Sequence, residues 1–105
     1  MVVSSTTRSM VTLGSHLDVR NVGMARASLY AVIEDASGDV VIDMANLESI
    51  DAAGLGMITA VHLRFERSGR RLVLRNCPRE IRRVLAVTRL NRILHLDRAH
   101  LRLSA

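Results

Sequence analysis

Few residues in the sequence could bind a metal ion or take part in catalysis, and only near the C-terminus does their spacing fit a metal site. His95 and Asp97 alternate along a predicted strand and therefore share one face of it, and His100 follows closely. Imidazole and carboxylate groups are zinc ligands, but neither a fourth ligand nor a cysteine partner accompanies them. Surface histidines are the preferred interpretation, and no metal or other cofactor is predicted.

Two further side chains have reactive chemistry. His62 falls on the apolar stripe of a predicted helix, the position of a buried histidine with one hydrogen-bond partner. Cys77 precedes Pro78 at a predicted helix start, but no neighbouring base is evident that would activate the thiol. The sequence also lacks a glycine-rich loop ending in Lys-Ser or Lys-Thr. We therefore predict no catalytic residues and a protein that is not an enzyme.

The segment 46–58, NLESIDAAGLGMI, has a different character, because a carboxylate ends an apolar run and small residues follow it. Asp51 is predicted to be the N-cap of a helix that begins at Ala52, where its carboxylate accepts hydrogen bonds from free amides. The helix dipole and the remaining amides favour an anion there. Gly54 and Gly56 keep this turn slim, so that another backbone can approach closely.

Four apolar segments alternate with three helical patterns. The predicted strands cover 10–18, 39–44, 71–76 and 92–97. Apolar residues recur at helical spacing from Val22 to Ala36 with Asn21 as N-cap and Gly38 as stop, from Leu55 to Phe65 with a stop at Ser68 and Gly69, and from Pro78 to Thr88. This order predicts an α/β fold, a single small domain over residues 1–105, with a mostly parallel sheet of four to five strands and three to four helices.

Charge and composition argue against a nucleic-acid-binding, membrane-inserted or secreted protein. Twelve of the fifteen basic residues, all arginines, lie in 64–105, but eight of these twelve fall on a predicted helix end or a polar helix face. Tyr30 and Phe65 are the only aromatic side chains apart from histidine, so a base-stacking platform is absent and nucleic-acid binding is not expected. No apolar run is long enough for membrane insertion, and a lone cysteine without a signal sequence indicates a cytoplasmic protein.

Three segments together resemble the STAS domain of bacterial anti-sigma factor antagonists. They are GSHLD at 14–18, VVIDMANLESIDAAGLGMI at 40–58 and SGRRLVLRNCPREIRRVLAVTRLNRIL at 68–94, and the resemblance is strongest over 9–97. It implies a STAS-like fold and a cytoplasmic signalling protein in transcription regulation. Such a protein binds an anti-sigma serine kinase, displaces the sigma factor, and is turned off when the kinase phosphorylates a serine.

The resemblance also identifies a departure at the regulatory position. In the family the phosphorylated serine follows the aspartate of a DSSG motif, and the equivalent residue here is Ala52, within DAAG. Alanine has no hydroxyl, so the protein is not expected to be switched at this position. Ser49 is a second conceivable acceptor, but it is disfavoured because the family's acceptor lies at the exposed helix start.

The implied partner-binding surface is the loop and helix start around Ala52. Its predicted residues are Asp18, Ser49, Ile50, Asp51, Ala52, Ala53, Gly54, Leu55 and Met57, with Val61 as a second apolar anchor; Met57 and Val61 are equally compatible with the core. The expected partner is an anti-sigma factor, its serine kinase or a related regulator, and a homodimer is left open. STAS-like domains also serve as non-catalytic subunits of membrane transport ATPases or as scaffolds in signalling assemblies, and both roles remain alternatives.

Overall fold

Five strands form the central sheet in the computed structural model of the chain, which describes residues 3–5, 9–35 and 38–97. In spatial order they are β1 (Val3–Ser5), β2 (Ser9–Thr12), β4 (Val40–Asp43), β6 (Leu72–Arg75) and β7 (His95–Leu96). β1 is antiparallel to β2, and the other neighbouring pairs are parallel. A separate parallel pair consists of β3 (His16–Leu17) and β5 (Ser49–Ile50). The predicted mostly parallel α/β fold is confirmed.

Three helices connect the parallel strands, because parallel neighbours need a crossover connection rather than a tight turn. They are α1 (Val22–Asp35), α2 (Ala52–Arg67) and α3 (Arg79–Val87). The boundaries differ from the predicted ones in three places. The strand expected over 10–18 is divided into β2 and β3; α3 has Pro78 as its N-cap rather than as its first residue; and a 3-10 turn at Leu90–Arg92 shortens the strand expected over 92–97.

The hydrophobic core is continuous and lies between the sheet and the helices. Consecutive residues Val40, Val41 and Ile42 of β4 are all buried, which shows that this central strand is covered on both faces. The core residues contributed by the helices are Ala25, Leu29 and Val32 of α1, Met57, Ile58, Val61 and Phe65 of α2, and Ile81 and Leu85 of α3. The helical spacing in the sequence therefore identified most of the buried residues of α1 and α3, whereas on α2 it left Met57 and Val61 undecided.

Two of the arginines concentrated in residues 64–105 make structural contacts around the end of α2. Gly69 has a φ of 73°, a left-handed conformation that glycine adopts without strain, and the amide of Arg70 donates to the Phe65 carbonyl at 2.9 Å. The Arg70 guanidinium then lies 4.8 Å from the centre of the Phe65 ring, and Arg64 lies 4.9 Å from that of Tyr30. These contacts give two of the arginines a structural role. Within the described ranges, no helix is long and apolar enough to cross a membrane.

Candidate partner-binding site at the start of α2

Asp51 joins the start of α2 to the loop that follows β3. Its Oδ1 accepts a hydrogen bond from the Gly54 amide at 3.0 Å, and its Oδ2 accepts one from the Val19 amide at 3.1 Å. The Asp51 amide in turn donates to the Leu17 carbonyl at 3.2 Å. The predicted N-cap is confirmed. Because both carboxylate oxygens are used, Asp51 also fixes a second segment of the chain beside the helix start.

Gly54 is the point of closest approach between these two segments. A Cβ at this position would collide with the Leu17 carbonyl oxygen and lie 2.8 Å from Ile50 Cγ1, whereas a Cβ at Gly56 would meet nothing within 4 Å. The close backbone approach expected at this turn therefore occurs within the chain itself. Gly54 is buried, so it shapes the surface from beneath and does not face solvent.

Ala52 is the first residue of α2 and is exposed, with Ala53 beside it half-buried. The first turn contains no acidic residue. We call residues 49–55 together with the facing loop 18–20 the α2 tip. It presents a bare methyl group at a helix start whose position is fixed by Asp51.

The predicted contact residues divide by exposure. Ser49 and Ala52 are exposed; Asp18, Ile50, Asp51, Ala53 and Leu55 are half-buried; Gly54 and Met57 are buried. The apolar anchors Met57 and Val61 are only 2% and 0% exposed, and both belong to the core cluster. Their assignment as surface contacts is corrected, because α2 packs that side of the helix against the sheet.

Two polar residues of the α2 tip have defined partners. Asp18 forms an ion pair with Arg20 at 2.8 Å, and the hydrogen bonds from the Arg20 side chain and backbone hold the pKa of the Asp18 carboxyl below its usual value. The Ser49 Oγ lies 2.7 Å from Nδ1 of His16. Asn21, predicted as the N-cap of α1, instead accepts from the Asp18 amide and donates to the His16 carbonyl. The loop is thus held by its own side chains.

The sequence reasoning missed two exposed apolar residues. Val19, whose amide is bound by Asp51, is 73% exposed, and Met24 in the first turns of α1 is 77% exposed. Met24 also lines a shallow groove with His16 and Leu17. The exposure of Met24 could have been predicted from the sequence, because this residue lies off the apolar stripe of α1.

Comparison with protein families identifies the fold. Residues 1–97 match the family described as "Mlab, STAS domain". The chain belongs to the STAS domain family. None of the curated proteins compared with it matches.

Solved structures resemble this STAS domain at low sequence identity. A candidate anti-sigma factor antagonist from Thermotoga maritima is 19% identical, with a TM-score of 0.84 over 98% of this chain and 91% of that one. The unphosphorylated anti-sigma factor antagonist SpoIIAA is 18% identical, with a TM-score of 0.69 over 91% and 86%. SpoIIAA in its phosphorylated form, described as a Bacillus cell fate determinant, is 17% identical, with a TM-score of 0.69 over 98% and 96%. At these identities the likeness establishes a shared fold.

The histidines of this STAS domain are not grouped as their spacing suggested. Asp97 pairs with Arg75 at 3.0 Å, and His100 lies outside the described residues. His95 Nε2 instead lies 2.8 Å from Glu66 Oε1, and this hydrogen bond lowers the pKa of Glu66. His62 is buried as predicted. It reaches the same Glu66, four residues along α2, a spacing that could have indicated the cluster.

Cys77 provides a test of the burial at the start of α3. The thiol is buried, and desolvation raises its pKa to about 11 from an ordinary value of 9.0. At pH 8 the thiolate fraction should be about a hundredfold lower than in the unfolded chain, so alkylation by iodoacetamide should slow by at least that factor. Mass spectrometry of native and urea-denatured protein measures both rates at a single cysteine. Equal rates would show that the thiol is accessible and unshifted.

Proposed function

We propose that this STAS domain is an anti-sigma factor antagonist-like regulatory protein that acts by binding and has no catalysis of its own. Its partner is an anti-sigma serine kinase or a related regulator, which would place it in cytoplasmic signalling that controls transcription. The observation that carries the proposal is the exposed Ala52 at a helix start fixed by Asp51. Family membership and the fold shared with anti-sigma factor antagonists support it.

The construction of the α2 tip suits protein binding. The two hydrogen bonds of Asp51 join the helix start to loop 18–20, so little chain entropy remains to be lost when a partner binds. One shallow groove includes Ser49 and Ile50 of the tip and is otherwise lined by Ile81 and Val84 together with the charged side chains Glu48, Glu80 and Arg83. A partner that contacts Ser49 and Ile50 can extend into this groove.

The residue at position 52 determines how the interaction is controlled. A phosphoserine would add about −1.5 to −2 charges at the α2 tip, which would repel an acidic partner surface or leave a buried charge unpaired. Ala52 adds no charge to the tip and, in this proposal, keeps it permanently competent for binding. Control would then lie in the abundance of the protein or in another subunit.

Restoring a hydroxyl tests whether the partner is a kinase. We expect Ala52→Ser to be phosphorylated by the cognate kinase. The wild-type protein should not be phosphorylated, because its nearby serine, Ser49, is hydrogen-bonded to His16 within the short strand β5. Phosphopeptide mass spectrometry after incubation with kinase and ATP locates the phosphate. The variant Ala52→Ser/Ser49→Ala is the control and should accept equally well. Phosphate on Ser49 of the wild-type protein would contradict the proposal.

A second candidate function is supported by the same substitution. A non-catalytic subunit of a membrane transport ATPase does not need a phosphorylated serine, so Ala52 is compatible with that role. The α2 tip would then contact the nucleotide-binding subunit. In this case the site is unchanged, and only the class of partner differs.

Affinity purification from the native host separates the two functions. Tagged wild-type protein and the Ala52→Glu variant serve as paired baits, and recovered proteins are identified by mass spectrometry. Recovery of a serine kinase or sigma-factor regulator by the wild-type bait alone supports the proposed function. Recovery of a transport ATPase by that bait supports the second candidate. A partner held equally by both baits would exclude the α2 tip as its binding site.

A further inference from the structure

Three side chains of the kind that bind metal ions lie close together near the C-terminal end of α2, away from the α2 tip. Each of His62, Glu66 and His95 offers a nitrogen or carboxylate oxygen, and these atoms all lie within 4.8 Å of one another. Two come from successive turns of α2 and the third from β7, so the cluster spans two elements that are distant in sequence. The His62 and His95 rings are 5.4 Å apart and tilted by 57°.

His62 is incompletely bonded in this arrangement. The residue is 3% exposed, and its Nδ1 has no hydrogen-bond partner among the residues that the structure describes. Its Nε2 is 3.8 Å from Glu66 Oε1, which is beyond hydrogen-bond distance. The Nε2 of this buried imidazole therefore faces Glu66 without a hydrogen bond to it and is available to a ligand, while the unpartnered Nδ1 is a separate, costly buried group.

We propose that His62, Glu66 and His95 bind one zinc-like divalent cation. Two imidazoles and a carboxylate form a known zinc ligand set, which leaves the fourth tetrahedral position for water. Bonds of about 2.0–2.2 Å to the metal require ligand atoms about 3.3–3.6 Å apart. The Glu66 and His95 atoms, now 2.8 Å apart, must therefore separate slightly, while His62, whose Nε2 is 3.8 Å from Glu66 Oε1, moves closer. Glu66 and His95 have side-chain exposures of 48% and 32%, which leaves them free to rotate inward and leaves a path for the ion.

Binding replaces the existing pairing within the cluster. The cation takes over the Glu66 carboxylate from His95, and each histidine contributes a neutral nitrogen. Arg71 lies near enough to interact with Glu66 and opposes the positive charge of the ion, so one carboxylate balances only part of it. The bound ion would join α2 to the edge strand β7. This inference goes beyond the proposed function and does not depend on the partner's identity.

Calorimetric titration with Zn²⁺ in a non-chelating buffer tests the site on the full chain. We expect saturable 1:1 binding to wild-type protein and at least tenfold weaker binding to Glu66→Gln and His95→Gln, since even supporting residues outside a coordination sphere contribute tenfold or more. Glu80→Gln and His16→Gln remove matching groups outside the cluster and should bind like wild type. Circular dichroism verifies that each variant is folded.

The controls distinguish this cluster from adventitious binding. Loss of affinity in Glu80→Gln or His16→Gln, with Glu66→Gln unaffected, would overturn the proposal. So would the absence of saturable binding to the wild-type protein. Zn²⁺ should also raise the Tm of the wild-type protein and not that of Glu66→Gln, because an ion that binds only the folded state stabilises it.

Discussion

Ala52→Glu is expected to weaken partner binding by at least tenfold, or about 1.4 kcal/mol, without harming the fold. A carboxylate at the first helical position has a favourable interaction with the helix dipole, and the exposed side chain has room. The same carboxylate becomes unpaired, or faces like charge, once a partner covers it. Calorimetry or surface plasmon resonance with the purified partner measures the affinity, and urea denaturation measures the stability.

Ala60→Glu is the matched control for this loss. Ala60 is also exposed on α2 but lies about two turns beyond Ala52, so the variant carries the same charge away from the proposed contact. Its affinity should equal that of the wild-type protein. If the two variants bind equally well, the partner does not cover Ala52; if they weaken equally, net charge rather than position is responsible.

Gly54→Ala should produce the largest change in stability among substitutions at the α2 tip. The added Cβ would meet the backbone carbonyl of Leu17, which cannot rotate away as a side chain can, and Ile50 Cγ1 at 2.8 Å. Overpacking of this kind costs about 1–3 kcal/mol, and the strain should separate α2 from loop 18–20. The free energy of unfolding from urea denaturation tests this expectation.

Gly56→Ala supplies the comparison two residues further along the same helix. Its Cβ would enter open space, so only the helix propensity of alanine acts, and the free energy of unfolding should rise by about 0.5–1 kcal/mol. The two substitutions are therefore expected to have opposite signs. Equal stabilisation by both would mean that Leu17 and Gly54 are not in close contact.

Local patterns predicted the elements of this STAS domain because its helices and central strands follow simple rules. The continuous apolar run of β4 indicated a strand covered on both faces, and Val40–Ile42 are buried accordingly. Asp51 followed by small residues indicated a capped helix, since an N-cap depends only on neighbouring amides. Elements defined by interactions within a few residues were thus accessible from the sequence.

Contacts between distant segments were not accessible in the same way. Spacing alone grouped His95 with Asp97, but β7 brings His95 to Glu66 of α2 and leaves Asp97 to Arg75. Met57 was ambiguous for a related reason, because α2 is apolar on more than one side and only packing selects the buried one. The role of Gly54 likewise depends on Leu17, which lies 37 residues earlier.

The central claim is that a partner covers the α2 tip, and amide NMR of labelled protein with the purified partner tests it most directly. The account predicts that cross-saturation from the partner attenuates the amide signals of Val19, Ala52 and Ala53. Arg64 and Arg67, at the other end of α2 and about 18 and 22 Å from Ala52 along the helix axis, should keep their intensity. Attenuation at Arg64 and Arg67 with an unchanged Ala52 would contradict the claim.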